Sequence, residues 1–271
     1  MSDQFSLRRL ARRVPFYQQL RRSILLRPRP ILVKNRALFE GRSGLEIGGP
    51  SHVFSSEDAL PVYPLVSRLD NVNYSARTFW SARASDGKYR VGGRELGQEL
   101  VLDSGELGSL PDESYDFILA SHVIEHLANP LKVLRQWRRV LRPGGAAIVI
   151  APNRERTYDR KRPVTTLEHL LEDYERDVGE SDTTHQEEVI ALHDLSRDGT
   201  VRTLEEHVAR TRANDSNRIM HHHVFDEKLL AGVLQHAGFQ VRQTATVWPH
   251  HVVALAVSGN VAVAPRGKHG E

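Results

Sequence analysis

Residues 44–51 read Gly-Leu-Glu-Ile-Gly-Gly-Pro-Ser, and this stretch decides how the rest of the chain is interpreted. The apolar residues Leu45 and Ile47 predict a short buried strand that runs directly into the Gly48-Gly49 turn. Glycine adopts positive φ angles and lets another molecule approach the backbone closely. A turn of this kind, at the carboxyl end of a first strand, is where doubly wound α/β folds bind nucleotide-like ligands. The spacing lacks the third glycine of the dinucleotide fingerprint, which argues against an NAD-dependent oxidoreductase.

The overall composition excludes several classes of protein. The 271 residues contain no cysteine, so a disulfide framework and thiolate chemistry are excluded. None of the apolar runs approaches the roughly 20 residues that span a bilayer. Net charge is only +3 although 37 residues are lysine or arginine, so the position of the basic residues matters more than their number. We expect a cytoplasmic protein with one well-buried core.

Basic residues are concentrated at the start of the chain. Ten lysines and arginines lie between residues 8 and 36, where there is no acidic residue, and apolar residues recur among them at helical spacing. We expect a basic helical segment over residues 1–40. One interpretation is an amphipathic surface for peripheral contact with an anionic membrane or a polyanion. The other, which we favour, is a helix packed on the core with its arginines in solvent.

Strands and a helix alternate in the middle of the chain. An apolar run over residues 60–66 leads towards a second strand, and residues 99–103 form a third. A fourth strand over residues 115–121 precedes a helix that starts at Asn129-Pro130, where asparagine is a good N-cap and proline suits the first turn. Residues 146–151 then form a fully apolar strand. Strand, helix and strand at this spacing predict a mostly parallel sheet with helices on both faces.

The second half of the chain is organised differently. Residues 154–220 are strongly charged and show only weak helical patterns, and we interpret them as a helical lid inserted over the strand ends. Order returns with a helix capped by Asp226 and a closing pair of strands. Residues 259–271 are rich in glycine and proline and predict a flexible tail. The main domain is thus expected over residues 41–258, interrupted by the lid.

Several of these motifs together resemble the class I S-adenosylmethionine-dependent methyltransferases. The similar segments are residues 45–49, an acidic residue near Asp70, Asp103, residues 115–118 and residues 141–145. The resemblance implies an α/β, Rossmann-like fold with a seven-stranded sheet. It also implies that the cofactor is S-adenosyl-L-methionine.

The resemblance assigns a set of candidate residues to this cofactor: Glu46, Gly48, Gly49, Pro50, Asp70, Asp103 and Ser121. The glycine turn and Glu46 would lie near the methionine end of the cofactor. Asp70 would hold the ribose and Asp103 would face the adenine. A carboxylate about 20 residues past the turn also fits a ribose ligand on spacing alone, although an aspartate that caps a loop turn fits equally well. Pro50 departs from the glycine-richer form of the turn, which leaves its contacts open.

Residues 121–126, Ser-His-Val-Ile-Glu-His, follow the fourth strand, where the transferred methyl group would lie. Relatives with a similar segment, among them small-RNA 2′-O-methyltransferases and quinone-ring O-methyltransferases, bind a divalent metal through it. His122, Glu125 and His126 would share one helical face, with His222 as a fourth ligand for Mg²⁺ or another divalent ion. Many metal-free relatives carry a similar segment that only shapes the pocket, so both interpretations stay open. With or without a metal, the candidate catalytic residues are His122, Glu125, His126 and His169.

Methyl transfer from a sulfonium is a one-step displacement that needs an aligned acceptor. A hydroxyl is a poor nucleophile and needs a base or a metal to remove its proton. Imidazoles titrate near neutral pH and suit both purposes, so we predict O-methylation. The segments at residues 166–174 and 221–226 are similar to methyltransferases of bacterial glycan assembly, those of methylmannose polysaccharide synthesis among them. A sugar or oligosaccharide hydroxyl, as in polysaccharide biosynthesis, is therefore the expected acceptor.

Other functions remain open on the sequence. The arginine-rich start favours an RNA 2′-O-methyltransferase, but no aromatic stacking platform lies beside the basic run, so nucleic acid is not the expected partner. A small natural-product O-methyltransferase and a non-catalytic cofactor-binding scaffold are further alternatives. The sequence also leaves a homodimer open.

Overall fold

The computed structural model describes residues 29–75, 86–103, 105 and 107–259. Most of the basic segment predicted over residues 1–40 and most of the predicted tail lie outside this part of the chain, so both interpretations of the basic segment stay predictions. The described start forms a short helix, α1 (Pro30–Val33), and a 3₁₀ turn. Among the described residues, no helix is both long and apolar enough to cross a membrane.

Within the described residues, eight strands form one sheet. They are β1 (Ser43–Ile47), β2 (Arg68–Asn73), β3 (Lys88–Val91), β4 (Arg94–Val101), β5 (Tyr115–Ser121), β6 (Leu141–Pro152), β7 (Phe239–Val247) and β8 (His251–Ser258). Their order across the sheet is β3-β4-β2-β1-β5-β6-β8-β7. The central strands β4, β2, β1, β5 and β6 pair in parallel. β3 pairs antiparallel with β4, β8 with β6, and β7 with β8.

The prediction of seven strands is wrong by one strand at the edge. β3 and β4 form a hairpin around Gly92-Gly93, and both glycines have positive φ angles. Tyr89 is the buried residue of β3, whereas the other three are exposed or half-buried. An edge strand that buries one side chain shows almost no alternation of apolar and polar residues, which is the main sequence signal of a strand.

Six further helices lie in the described part of the chain. They are α2 (Pro130–Val140), α3 (Leu167–Glu175), α4 (Gln186–Leu192), α5 (Leu204–Arg212), α6 (Asn214–Asn217) and α7 (Glu227–His236). Both predicted N-caps are confirmed, because Asn129 accepts from Lys132 N at 3.1 Å and Asp226 accepts from Leu229 N at 2.7 Å. α2 and α7 cover one face of the sheet, with the fully buried Trp137 in their shared core.

On the opposite face the described residues supply the short helix α1, whose Ile31 and Leu32 are buried, and no long helix. Phe39, Phe54 and Leu60 pack there, against a core that includes Phe117 of β5. The apolar run over residues 60–66 therefore covers the sheet and does not belong to the second strand, which begins at Arg68.

Residues 154–220 contain α3 to α6 and are anchored by one buried arginine. The Arg162 side chain donates to Asp159 at 3.0 Å and to Glu188 at 2.8 Å. It also donates to the backbone carbonyls of His221 and His222, at 2.9 and 3.0 Å. A guanidinium this deeply buried requires such a full set of acceptors. Arg162 thereby ties the start and middle of the inserted segment to the chain that returns from it.

Candidate active site

The glycine turn after β1 is built for close approach. Gly48 has φ +74°, and a Cβ atom placed on it would lie 2.8 Å from Cγ2 of Val123. Its N–H donates to the carbonyl of Val72 at 2.8 Å, and Gly49 N–H donates to Oδ1 of Asn71 at 2.9 Å. The turn is thus fixed by neighbouring strand β2, and any side chain at Gly48 would be strained.

Glu46 stabilises this turn through hydrogen bonds to its carboxylate. Its carboxylate is fully buried and accepts from Tyr89 OH at 2.6 Å, from Tyr63 OH at 2.9 Å and from Ser51 N at 3.1 Å. Burial raises the pKa of Glu46 to about 7, against the opposing effect of these donors. Glu46 does not line either cavity described below, so it shapes the turn and leaves ligand contact to the backbone above it.

A cavity of about 650 Å³ lies beyond the carboxyl ends of the parallel strands. Gly48, Asn73, Tyr74 and Asp103 line it from the ends of β1, β2 and β4. A second wall comes from the inserted segment, where Arg218 pairs with Glu180 at 2.8 Å and lies 3.6 Å from Asp103. The predicted Gly48 and Asp103 are therefore brought together at one cavity.

Asp70 is not brought together with them. It lies in the middle of β2, three residues before the strand ends. Its carboxylate accepts from Arg68, from Gln98 N at 2.8 Å and from Tyr115 OH at 3.1 Å. Those donors occupy the lone pairs that a ribose would need, which corrects the expected placement. Asn73 and Tyr74 occupy the position expected of Asp70, at the carboxyl end of β2.

A second, larger cavity of about 1740 Å³ adjoins the first. Gly48, His122 and His126 line both cavities, so the two spaces meet at these residues. Pro50 and Ser121, which were predicted to contact the cofactor, line the second cavity and not the first. Its remaining wall is polar and aromatic, with His52, Asp58, Tyr158, His221, Trp248, His250 and His251 among its members.

A carboxylate surrounded by imidazoles lies at the meeting point of the cavities. Glu125 is buried, and neither of its oxygens has a hydrogen-bond partner among the described residues. Ring nitrogens of His122, His126 and His221 lie 3.4, 3.9 and 4.0 Å from Oε1. Burial opposes the charge of Glu125, yet these imidazoles outweigh it and the pKa of the carboxyl is lowered. Burial and the neighbouring His221 lower the pKa of His126 to about 4, so His126 is neutral near pH 7.

His221 replaces His222 as the histidine that faces this carboxylate. His222 is fully buried, and its Nε2 contacts Nδ2 of Asn214 at 3.2 Å. Nδ1 of His221 contacts Asp159 at 2.5 Å, and its Nε2 lies 2.7 Å from Tyr158 OH. Burial lowers the pKa of His221, but Asp159 outweighs that effect and the pKa is raised. The structure therefore does not bring the predicted fourth metal ligand, His222, to the cluster.

His122 stands at the end of β5 in a left-handed conformation, with φ 56°. Such a conformation costs a non-glycine residue free energy and is concentrated at functional sites. Its Nε2 contacts Nδ1 of His251 at 2.9 Å, and burial lowers the pKa of His251 to about 3. His122 thus lies between Glu125 and the His250-His251 pair on the wall of both cavities.

The profile of a methyltransferase domain matches residues 17–244 of the chain. The chain belongs to this methyltransferase family. The predicted membership in the class I S-adenosylmethionine-dependent methyltransferases is confirmed. The family match does not support the more specific glycan-associated type. No curated protein matches the sequence.

Solved structures resemble this methyltransferase in fold. A Bacillus halodurans protein is 13% identical over 84% of this chain and 97% of its own, with a TM-score of 0.50. A SAM-dependent methyltransferase from Aquifex aeolicus is 14% identical over 95% of this chain and 100% of its own, with a TM-score of 0.46. The 1,6-didemethyltoxoflavin-N1-methyltransferase of Burkholderia thailandensis, solved with S-adenosylhomocysteine, is 15% identical over 85% of this chain and 76% of its own, with a TM-score of 0.47.

His169 lies in a different part of the methyltransferase. It lines neither cavity, and its Nε2 contacts Nε2 of His185 at 3.0 Å and lies 3.3 Å from Oδ2 of Asp173. The sequence names His169 as a candidate catalytic residue together with Glu125, and the structure does not bring the two together.

Several residues of the methyltransferase cavities are absent from the sequence-based set. Tyr158 lines the larger cavity and Asp159 pairs with His221 beside it, but both belong to a charged segment in which the sequence singles out no residue. His221, His222 and His223 are adjacent in the sequence, and the sequence analysis names His222 as the fourth metal ligand, whereas His221 is the histidine that faces Glu125. Trp248 and Arg218 carry no local signal, because their position depends on how the distant segments fold back over the sheet.

Proposed function

We propose that this methyltransferase transfers a methyl group from S-adenosylmethionine to a hydroxyl of a sugar or oligosaccharide. The observation that carries the proposal is His221, which lines the larger cavity beside His126, a residue of both cavities, and is paired with the buried Asp159. The smaller cavity is where we place the cofactor, and the larger one is where we place the acceptor. Glycan biosynthesis is the process in which such an acceptor is expected.

The smaller cavity has the features that a sulfonium nucleoside requires. The backbone at Gly48 allows close approach, since a side chain there would clash with Val123. Asn73 and Tyr74 stand where ribose hydroxyls would be held, and Asp103 stands where adenine would lie. When bound, S-adenosylmethionine supplies a methyl group activated by the positive sulfur. Gly48 belongs to both cavities, so a cofactor held there has its methyl end towards the acceptor.

His221 is suited to serve as the general base. Its Nδ1–H donates to Asp159, which fixes the tautomer and leaves the lone pair on Nε2, where an acceptor hydroxyl would take the place of the Tyr158 OH that lies 2.7 Å away. In the reaction, the acceptor hydroxyl proton moves to Nε2 while the oxygen–methyl bond forms and the methyl–sulfur bond breaks. Methyl ether and S-adenosylhomocysteine are the products. A positioned base of this kind contributes about 10²- to 10⁴-fold to the rate.

The wall of the larger cavity favours a polar ring as the acceptor. Trp248 stands at its rim with 51% of its surface exposed. An exposed indole beside polar groups is typical of binding sites, because the ring offers an apolar face next to hydrogen-bonding groups. The C–H face of a pyranose fits such an indole, while its hydroxyls can bond to Ser51, His52 and Asp58.

A divalent metal would be held by Glu125, His126 and His221. The cluster fits a cation, because one atom from each residue lies within 4.8 Å of the others and both carboxylate oxygens of Glu125 are buried without partners among the described residues. Such an ion would lower the pKa of a bound hydroxyl. Two imidazoles and one carboxylate suit zinc better than magnesium, which prefers oxygen ligands.

The first experiment is calorimetry with S-adenosylhomocysteine, followed by turnover with a panel of mannosides, other glycosides, small phenols and a short RNA. Failure of the folded protein to bind S-adenosylhomocysteine would overturn the proposed methyl transfer altogether. Turnover on RNA or phenols with none on glycosides would overturn the choice of acceptor. Repeating the assay after EDTA treatment distinguishes His221 as a general base from His221 as a metal ligand, because turnover that needs no metal persists after chelation.

The role of His221 is tested by Asp159→Asn. We expect kcat to fall by about 10²-fold or more and the acidic limb of the pH–rate profile to move to lower pH. The direction follows because Asp159 raises the pKa of His221, and the base acts only when deprotonated. Asp215→Asn, on an exposed residue of α6, is the matched control. An unchanged pH profile in Asp159→Asn would show that His221 is not the base.

A further inference from the structure

A second cluster of histidines lies outside both cavities. It consists of His169 and Asp173 on α3, His185 before α4, and His223 after the inserted segment. One ligand atom from each residue lies within 4.8 Å of the others. His169 and Asp173 are separated by one helical turn, so they share a face of α3.

The distances within the cluster match a tetrahedral ion. Nε2 of His169 lies 3.0 Å from Nε2 of His185 and 3.3 Å from Oδ2 of Asp173. His223 would ligate through Nδ1, which has no hydrogen-bond partner among the described residues, because its Nε2 lies 3.3 Å from the carbonyl of Ala128. Zinc bonds of about 2.0–2.1 Å in a tetrahedron place neighbouring ligand atoms about 3.3 Å apart. The two separations from Nε2 of His169 lie close to that value.

Hydrogen bonds alone do not satisfy the cluster. Oδ2 of Asp173 and Nδ1 of His223 are buried without a hydrogen-bond partner among the described residues. Nε2 of His169 can take part in only one of its two contacts. If it accepts a proton from Nε2 of His185, it carries no proton to donate to Asp173. If it donates its proton to Asp173, Nε2 of His169 and Nε2 of His185 lie 3.0 Å apart with no proton between them. A buried polar atom left without a partner costs free energy, whereas a cation would engage all four residues.

We propose that His169, Asp173, His185 and His223 form a structural zinc site. Three imidazoles and one carboxylate are ligands that zinc accepts, and four protein ligands close its coordination sphere. The backbone carbonyl of Ala128 lies 3.3 Å from Nε2 of His223 and supplies the kind of outer contact that orients a ligating imidazole. The ion fastens the beginning and middle of the inserted segment to the chain that returns from it. This site does not depend on the proposed acceptor or base.

The test is the zinc content of the full chain after EDTA treatment, removal of the chelator and reloading with zinc chloride. We expect His185→Ala and Asp173→Asn each to bind one zinc equivalent less than the wild type. His126→Ala, which removes a ligand from the cluster around Glu125, is the matched control and should keep that equivalent. Cobalt loading gives a second readout, because tetrahedral Co²⁺ absorbs strongly in the visible range and the absorption should disappear in both test variants.

Two outcomes overturn the proposal. One is a folded wild type that binds no zinc. The other is zinc binding that survives in Asp173→Asn and is lost in His126→Ala, which would place the ion beside Glu125. Circular dichroism checks the fold of each variant. If His185→Ala does not fold, Asp173→Asn decides the question, since asparagine is nearly isosteric with aspartate.

Discussion

Glu46 should make the stability of the protein fall as pH rises from acid to neutral. Its pKa is raised by burial from the ordinary 4.5 to about 7. A carboxyl with a raised pKa favours the folded state when protonated, so the contribution is full below the unfolded pKa and is lost as pH rises through about 7. At about 1.4 kcal/mol for each tenfold change in proton affinity, the loss is about 3 kcal/mol. Glu46→Gln cannot ionise and should not show it.

The assay is urea unfolding of wild type and Glu46→Gln at intervals between pH 4.5 and 8. The free energy of unfolding of the wild type, minus that of the variant, should fall by about 3 kcal/mol over this range. Buried histidines also titrate there, but they are common to both proteins and cancel in the difference. Glu57→Gln, on an exposed glutamate, controls for the loss of a surface charge. A difference that stays constant with pH would refute the reasoning, because it would mean that Glu46 ionises alike in both states.

Three further predictions concern the turn, the anchor and the rim. Gly48→Ala should weaken binding of S-adenosylhomocysteine at least about tenfold in calorimetry while the protein stays folded, because φ +74° and the contact with Val123 leave no room for a methyl. Arg162→Met should lower the free energy of unfolding by about 3–5 kcal/mol in urea, since it removes the guanidinium from Asp159 and Glu188 and leaves the buried carbonyls of His221 and His222 without their donor; a loss below about 1 kcal/mol would contradict the anchor role. Trp248→Ala should raise KM for a glycoside about tenfold with kcat nearly unchanged, whereas Trp248→Phe should keep most of the affinity; an equal fall in kcat would argue against simple ring stacking.

The centre of the fold could be predicted because its signals are local. The apolar strand over residues 146–151 and the capped helix after Asn129 can each be recognised from a few consecutive residues. The alternation of strand and helix predicts that the strands pair in parallel. The cover of the other sheet face could not be predicted in the same way. Residues 60–66 are apolar enough for a strand, and only the competition with β2 for a place beside β1 decides that they form the cover.

The Asp70 error has a simple geometric origin. Spacing along the chain counts residues, but ligand contact depends on where a strand ends in space. β2 runs three residues beyond Asp70, so the carboxylate points into the sheet region, where Arg68 and Tyr115 bind it. The end of the strand carries Asn73 instead, and an amide can also hydrogen-bond to ribose hydroxyls. The acidic residue in the sequence was thus a structural one, and the cavity residue was uncharged.

The three adjacent histidines show why the site itself needed a structure. His221 faces Glu125 and Asp159, His222 contacts Asn214, and His223 joins Asp173, so consecutive residues serve three different neighbourhoods. Sequence reasoning offers His222 as a candidate metal ligand but has no means to choose within the triple, because side-chain direction there depends on the backbone path between the inserted segment and α7. If the backbone there were shifted by one residue, His222, which lines neither cavity, would take the place of His221. The position of the proposed base therefore depends on the anchor at Arg162, which donates to the carbonyls of His221 and His222 and holds that path.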